Sequence, residues 1–471
     1  MTNARRPGRR SAAMVRGPIL LSLFVAACTV GPNYSRPELD LPANLGVAQS
    51  PNPAPQRWWT LFNDPVLDQL VDEALEKNRD LRIAAHRIEQ SRAQLGITRS
   101  EMFPDAGIEG SRSRTRNSAV GSVQLPPDVP LTTNAYRLVL RASWELDFWG
   151  KYRRGTEAAR AELAASEAGR EAVRASLIGD VARGYFTLRA LDRRIEAVER
   201  TLLGRQKSLE LQKLRLDAGV VSELEYRQVE SDLRAAEALL PSLRQARTRQ
   251  EGALAVLLGR SPREVFASSV PRGTPAAPAT VEVPAGLPSD LLLRRPDLRQ
   301  AEERLHAANA RIGVARAAYF PNITLTGFFG GESQMLRDIF SPEARTWNVA
   351  GGLLAPLFAG GQIRGGLDLA NARTREAAES YQQSVANAFR EVRDALAAQV
   401  NARDAFLSQQ AREAALARTL ELSRLRYDNG AVSLFEVLET ERQLILARLE
   451  AIDAERDRNS AVVDLYLALG A

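Results

Sequence analysis

Residues 80–104, DLRIAAHRIEQSRAQLGITRSEMFP, align without a gap on residues 297–321, DLRQAEERLHAANARIGVARAAYFP, with ten of 25 positions identical at a constant offset of 217. The correspondence returns at an offset of 211: Leu214-Arg215 meets Leu425-Arg426, Asp217 meets Asp428, and Gly219 meets Gly430. Val221-Ser222 then meets Val432-Ser433, Glu225 meets Glu436, and Gly259 meets Gly470. A period of roughly 200 residues is too long for a solenoid unit, so it reads as a duplicated domain. Such a duplication builds rings and tubes more readily than a single enzyme cleft.

After each copy of the repeated stretch the period of the sequence changes. Tyr136, Leu138, Leu140, Ala142, Trp144, Leu146 and Phe148 fall on one face of an alternating segment. Arg137, Arg141, Ser143, Glu145 and Asp147 fall on the other, with Val139 the exception. Period 2 predicts a strand with one apolar and one wet side. A water-soluble sandwich strand carries the same pattern. The length exceeds the ~9–11 residues that cross a bilayer at a tilt. Aromatic residues at its ends (Tyr136; Phe148 and Trp149) suit an interfacial girdle. A partner strand is expected from about Phe103 to Arg114, across a polar loop 117–133 that suits the outside. The second half predicts a strand over Asn322–Gly330 and another from Trp347 to Phe358. Sheet edges left open in hydrocarbon cost several kcal/mol per unpaired backbone group, so a membrane sheet must close. Four strands are too few to enclose a pore, so several chains must share one barrel. Three chains would supply twelve strands, although the strand count does not fix that number.

The remainder predicts helix. Residues from about Arg154 to Asp217, and from about Arg364 to Asp428, run without proline. Each such helix could reach roughly 95 Å. Apolar residues recur at coiled-coil spacing, as in Val385, Phe389, Val392, Leu396 and Val400. Each long helix ends at an Asp-x-Gly turn, and a second helix returns from Ser222 to about Leu258, or from Ser433 to about Leu469. Gly suits the left-handed turn after a helix and Ser caps the next one. Asn63-Asp64-Pro65 reads as another helix start, with a helical stretch to about Glu101. Residues 262–288 hold six prolines and no periodicity, which marks a linker. The expected organisation is a leader over 1–27, an extended segment over 28–63, a first repeat over 64–259, a linker over 260–289 and a second repeat over 290–471.

The N-terminus explains most of the charge. The chain carries 63 basic and 57 acidic side chains, and Arg5, Arg6, Arg9, Arg10 and Arg16 all precede residue 28. Without them the balance is 58 against 57, so no nucleic-acid partner is expected. This basic stretch and the apolar run 19–27 form a secretory leader too short to span a bilayer. It ends at Val25-Ala26-Ala27-Cys28, which resembles a lipobox, where the thiol takes a diacylglycerol and becomes the mature N-terminus. Cys28 is the sole cysteine, so the chain has no internal disulfide. No later run of 18 apolar residues exists, which excludes a helical membrane span. The two histidines, His86 and His306, occupy non-equivalent helical positions and read as surface residues. No phosphate loop, zinc spacing or nucleophile motif is present, so neither an enzyme nor a cofactor is expected.

Several motifs carry a family resemblance: VGPNYSRP after Cys28, RWWTLFNDPVLDQLVDEAL at 57–75, WELDFWGK at 144–151, LPSDLLLRRPDLRQAE at 287–302 and ANARIGVARAAYFPNI at 308–323. Together they resemble the TolC-like outer-membrane efflux factors, in the OprM/NodT lipoprotein branch that serves resistance-nodulation-division pumps. The resemblance implies a mixed, mainly α fold. Long coiled-coil hairpins of three chains form an α-barrel beneath one shared twelve-stranded transmembrane β-barrel. It implies an outer-membrane exit duct anchored at Cys28 in outer-membrane lipid. The implied partners are two further copies of the chain, a periplasmic adaptor and an inner-membrane pump of the resistance-nodulation-division type. The adaptor would meet the hairpin tips at Gly219, Val220, Ser222, Gly430, Ala431 and Ser433. Members close the periplasmic mouth with acidic side chains and tyrosines, which here point to Glu436 and Glu439, to Tyr427 and Asp428, and to Glu225 as the repeat-equivalent of Glu436. The family usually has Asp where Glu436 stands, so the constriction would differ in width. Rings of carboxylates in a trimer attract cations and raise each other's pKa values. Trp144, Phe148, Trp149, Trp347 and Phe358 are the expected membrane girdle. Arg112, Arg114 and Arg116 read as a solvated loop, with lipopolysaccharide phosphates as the other reading. A type I protein secretion duct stays open. A periplasmic adaptor lipoprotein is disfavoured, because it needs one hairpin and small β-domains rather than two hairpins and four amphipathic strands.

Overall fold

The computed structural model describes residues 29–42, 57–121, 126, 129–267, 269–273 and 293–470. Cys28 and its leader lie outside them, as does most of the Pro-rich linker. A 3-10 turn at Trp58–Phe62 leads into α1 (Pro65–Lys77), which begins as Asn63-Asp64-Pro65 predicts. The Asp64 carboxylate accepts from the N–H groups of Val66 and Leu67, and Pro65 occupies the first turn, where a missing N–H costs nothing. The expected single helix to Glu101 breaks at Asn78, and α2 (Arg79–Ser100) follows. Asn78 Oδ1 accepts from the N–H groups of Asp80 and Leu81, while its Nδ2 donates to Leu257 O at 2.8 Å.

Strands β1 (Asp105–Arg116) and β2 (Thr132–Leu146) come next, then α3 (Lys151–Asp217) and α4 (Glu223–Leu257). The linker is not wholly irregular: α5 (Pro262–Phe266) forms there behind a Ser261/Glu264 capping box. The order then repeats as α6 (Pro296–Ala317), β3 (Asn322–Ser333), β4 (Arg345–Leu354), α7 (Gln362–Asp428) and α8 (Leu434–Ala468). Equivalent helices have equal lengths: 22 residues in α2 and α6, 67 in α3 and α7, and 35 in α4 and α8. Their junctions match as well. Arg295, 217 positions after Asn78, donates to Ala468 O at 2.9 Å, and Ala468 is 211 positions after Leu257. Helix α4 stays continuous through the exposed Pro241, which the expected helix 222–258 also contains.

The chain packs as two units. One takes the described residues up to Pro37, Glu89–Ala164 and Glu302–Glu379; the other takes the remaining described residues. The first unit holds the sheet, whose antiparallel order is β1-β2-β3-β4. Its N-terminal segment is held by polar contacts: Arg36 forms a two-pronged bond to Glu302, and Arg154 Nη2 donates to Asn33 Oδ1 at 2.8 Å. Gly31 (φ +107°) lies so close to Gly313 that a Cβ on it would come within 2.5 Å of Gly313 Cα. Two glycines of the quoted motifs therefore explain each other.

The second unit is built on the long helices. Its largest apolar cluster joins Trp58 and Trp59 to Leu67, Leu70, Val181, Tyr185 and Val463. Trp58 stacks flat on Tyr466, with centroids 5.4 Å apart. Burying two indoles and a run of Leu and Val there supplies about 1.5–3 kcal/mol per large side chain. Outside the apolar seams, ion pairs link the helices: Arg183 to Asp464, Arg194 to Asp453 at 2.9 Å, and Arg448 to Glu413 at 2.9 Å.

Candidate functional site

Each long helix of the second unit ends on a glycine in the left-handed conformation, Gly219 at φ +70° and Gly430 at φ +72°. The N–H of the next residue reaches back five positions (Val220 to Arg215 O, 2.9 Å; Ala431 to Arg426 O, 2.8 Å), and the glycine N–H bonds Leu216 O or Tyr427 O. These are Schellman turns, so the two Asp-x-Gly segments reverse the chain as expected. Ser222 caps α4 in a full capping box. Ser433 holds the cap position of α8, but its side chain makes no cap hydrogen bond. Apolar side chains stand out at both tips: Val220 is 71% exposed and Phe435 63%.

The candidate gate residues divide by environment. Glu225 spends its carboxylate locally: Oε2 accepts from the N–H of Ser222 at 2.9 Å and from its hydroxyl at 3.2 Å. As the third residue of α4 it completes the capping box. Glu439 meets Arg442 through two bonds (3.0 and 2.8 Å) and Gln443 at 2.8 Å. Arg442 first, then Gln443, holds its carboxyl below the ordinary carboxylate range. That opposes the upward shift expected from a crowded ring. Glu436 lies 3.5 Å from Arg426, so Glu436 and Glu439 each have a cation beside them. The Tyr427 hydroxyl accepts weak bonds from Gln212 (3.4 Å) and Arg215 (3.3 Å), which ties α7 to α3. Asp428 is the exposed last residue of α7. Sequence reasoning missed Arg442, Gln443, Gln212 and Arg215. The first two were legible as i+3 and i+4 neighbours of Glu439. The other two sit more than 200 residues from Tyr427 and leave no local signal.

The sheet of the first unit sorts its faces by register. One row across the strands reads Ile108, Leu140, Phe329, Trp347; others read Trp144, Leu325, Gly351 and Leu146, Ile323, Leu353. All these face the same side, and the large ones are open to solvent in the single chain, Trp347 at 68% and Val349 at 80%. Arg137, Arg141, Ser143 and Glu145 take the opposite face, with Arg137 over the Phe328 ring at 4.4 Å. Val139, the exception in the alternation, is buried on that polar face opposite Glu109 and Gly330. Of the expected girdle, Trp347 lies toward the connecting-loop end and Trp144 toward the helix end, with Trp144 Nε1 bonded to Met102 O at 3.0 Å. Phe148 and Phe358 are exposed, but beyond the ends of β2 and β4. Trp149 differs from expectation: half-buried, it stacks on Phe320 at 4.6 Å and donates to Pro321 O. Its ring joins the strand ends instead of facing outward. Strand β1 runs two residues past the expected end at Arg114, so Arg116 joins Arg112 and Arg114 in the strand, and the solvated-loop reading of the three gives way to a strand.

Among the described residues no helix is long and apolar enough to cross a membrane, and no group of three metal-binding side chains occurs. His306 is half-buried, stacked on Tyr34 at 4.7 Å and 3.3 Å from Glu157.

The sequence pattern described as "outer membrane efflux protein" matches residues 70–260 and 287–471, one stretch for each half. The chain belongs to that family. The cation efflux system protein CusC of Escherichia coli O6:H1 is 33% identical over 459 residues, covering 96% of this chain and 97% of that protein. The solvent efflux pump outer membrane protein SrpC of Pseudomonas putida is 34% identical over 472 residues, with 96% and 97% coverage. The crystal structure of the Campylobacter jejuni CmeC outer membrane channel superposes with a TM-score of 0.88 at 29% identity, covering 94% of this chain and 95% of that one. As a member of this family of efflux channels, the chain is an outer-membrane efflux protein.

Proposed function

We propose that three copies of this chain form the exit duct of a tripartite efflux system, a passive, gated conduit through the outer membrane and into the periplasm. The carrying observation is the sheet: four strands with one continuous apolar face and two free edges, β1 and β4. In hydrocarbon those edges must pair, and pairing between copies closes a barrel that one chain cannot. The two hairpins of each chain then supply the α-barrel beneath it, and the duplication gives each copy two similar staves. A lipid on Cys28 adds an anchor. The duct has no catalytic role. A periplasmic adaptor engages the exposed tips around Gly219, Val220, Gly430 and Ala431, and an inner-membrane pump of the resistance-nodulation-division type supplies the energy. Relatives named for cations and for solvents are equally similar to this chain, so the cargo is chosen elsewhere.

Glu436 and Glu439 line the closed mouth in this reading, with Tyr427 and Asp428 beside them and Glu225 serving mainly as a cap. The test is single-channel conductance of the purified, detergent-extracted protein in a planar bilayer. Discrete steps are expected. In the E436A/E439A variant they should grow, and block by divalent cations should weaken. Unchanged steps and unchanged block would remove these residues from the gate. Well-folded trimers giving no steps even in the variant would count against the duct.

A further inference from the structure

The three arginines of β1 stand on the same face as the apolar belt. Arg112 pairs with Tyr136, Arg114 with Asn134 and Arg116 with Thr132, in alternating register with Ile108 opposite Leu140. The face therefore changes character along the strand. From the row of Leu146 to the row of Leu140 it is apolar, six residue steps or about 20 Å along the strand, and the next row, Gly110-Leu138-Gly331-Arg345, already carries a cation on β4. Immediately beyond it, toward the 117–131 connection, come Tyr136 and the three guanidinium groups. Arg112 lies 5.6 Å from the Tyr136 ring, which helps to keep its cation at the strand surface. On the other edge strand, Arg345 faces the same side one row beyond Trp347. All four side chains are exposed, and no carboxylate among the described residues pairs with them. Arginines inside the hydrocarbon would be expelled, and arginines serving only solubility have no reason to share the lipid face. At the edge of the belt their height matches the headgroups.

We propose that Arg112, Arg114 and Arg116 form a binding site for the phosphorylated headgroups of outer-leaflet lipid. The inference rests on the membrane-barrel reading above. The loop end of the sheet is the outer end in that reading, because the opposite end of every strand runs into helix. Planar guanidinium groups bind phosphate oxygens in pairs, and three on alternate residues of one strand suit a lipid carrying more than one phosphate. Each contributes roughly fivefold in affinity near an anionic lipid surface, so the trio is worth about a hundredfold. The apolar rows below them hold the acyl chains, which separates this site from one for free phosphate.

The experiment measures equilibrium binding of fluorescent bisphosphorylated lipid A to the full chain in non-ionic detergent. Comparison ligands are the dephosphorylated glycolipid and inorganic phosphate. The R112A/R114A/R116A variant should bind lipid A about a hundredfold more weakly, and the triple Lys variant, which keeps the charge without the paired guanidinium bonds, should recover only part of the affinity. Raising the salt should weaken wild-type binding and leave the Ala variant little changed. Equal binding by wild type and the Ala variant, or equal affinity for the dephosphorylated lipid, overturns the proposal. Inorganic phosphate binding as tightly as the lipid overturns the lipid assignment in favour of a free-phosphate site. Conductance of the same preparations separates the two readings. If the Ala variant conducts like wild type yet binds lipid A unchanged, only this inference fails; if wild type inserts no pore, the barrel reading fails with it.

Discussion

At the scale of single residues, Asp64 is a four-bond junction of the second unit. Its Oδ2 accepts from the Tyr185 hydroxyl at 2.7 Å and from Arg189 at 2.9 Å, while Tyr185 accepts from the N–H of Gly273 at 3.1 Å. Burial, and then the bond to Asp64, push the Tyr185 hydroxyl up from 10.0 to about 12. An unfolded chain loses this proton near pH 10 and the folded one keeps it to about 12, so the unfolded state binds fewer protons in that window. The contribution is therefore complete below pH 10 and fades as pH climbs to about 12. Tyr185→Phe should cost about 1–3 kcal/mol at neutral pH by leaving Asp64 short of a donor. The same change should flatten the alkaline loss of stability. Urea midpoints of the detergent-solubilised protein at pH 8 and on the alkaline side check both; parallel curves for variant and wild type would exclude Tyr185 as the source. Only half of this site was legible in advance. Asn63-Asp64-Pro65 announces a cap, but nothing in sequence says that a tyrosine 121 residues away takes the other carboxylate oxygen.

Elements were easier to read where their ends are decided locally. Gly219 and Gly430 fixed the two reversals, because only glycine accepts those turns cheaply, and period-2 patterning found β2 and β3, with β1 and β4 following as their hairpin partners. The break at Asn78 escaped notice because helix-forming residues flank it on both sides and its partner carbonyl, Leu257 O, is 179 residues away. Helix α5 was hidden among prolines, although Ser261 with Glu264 three residues on is a capping-box signature. The outward reading of Trp149 failed for a similar reason: the aromatic pattern marks a strand end, while the packing on Phe320 comes from the other half of the chain. The same local chemistry separates the two tips. Ser222→Ala removes the hydroxyl that accepts from the Glu225 N–H, leaving only the backbone half of the capping box, and should loosen the start of α4 by about 0.5–2 kcal/mol. Ser433→Ala removes no side-chain cap bond and should cost much less. Hydrogen exchange at residues 223–226 and 434–437 reads the difference directly. Equal acceleration at both tips would mean that the capping box does not hold the first one.

For the whole molecule, the assembly is decided by what covers the sheet. A single chain leaves Ile108, Phe329, Trp347, Val349 and Leu353 open on one face, and a water-soluble protein rarely presents so broad an apolar patch. The opposite face, with Arg137, Arg141 and Glu145, is as wet as a lumen requires. If lipid is the cover, a charge in the middle of the belt is penalised and a neutralised charge on the other face is not. Val349 sits beside Gly327 and Ala142, in the middle rows of the belt. Val349→Arg should therefore destabilise membrane insertion by about 2–4 kcal/mol per copy. In a shared barrel every copy carries the penalty, so the assembled fraction should fall sharply. Arg141→Ala, on the wet face, should leave assembly unchanged and alter only ion flow. The measurement is the fraction of protein recovered from outer membranes as a heat-modifiable oligomer on unheated gels. If Val349→Arg assembles like wild type, the apolar face is covered by protein instead of lipid, and the sheet belongs to a different kind of assembly.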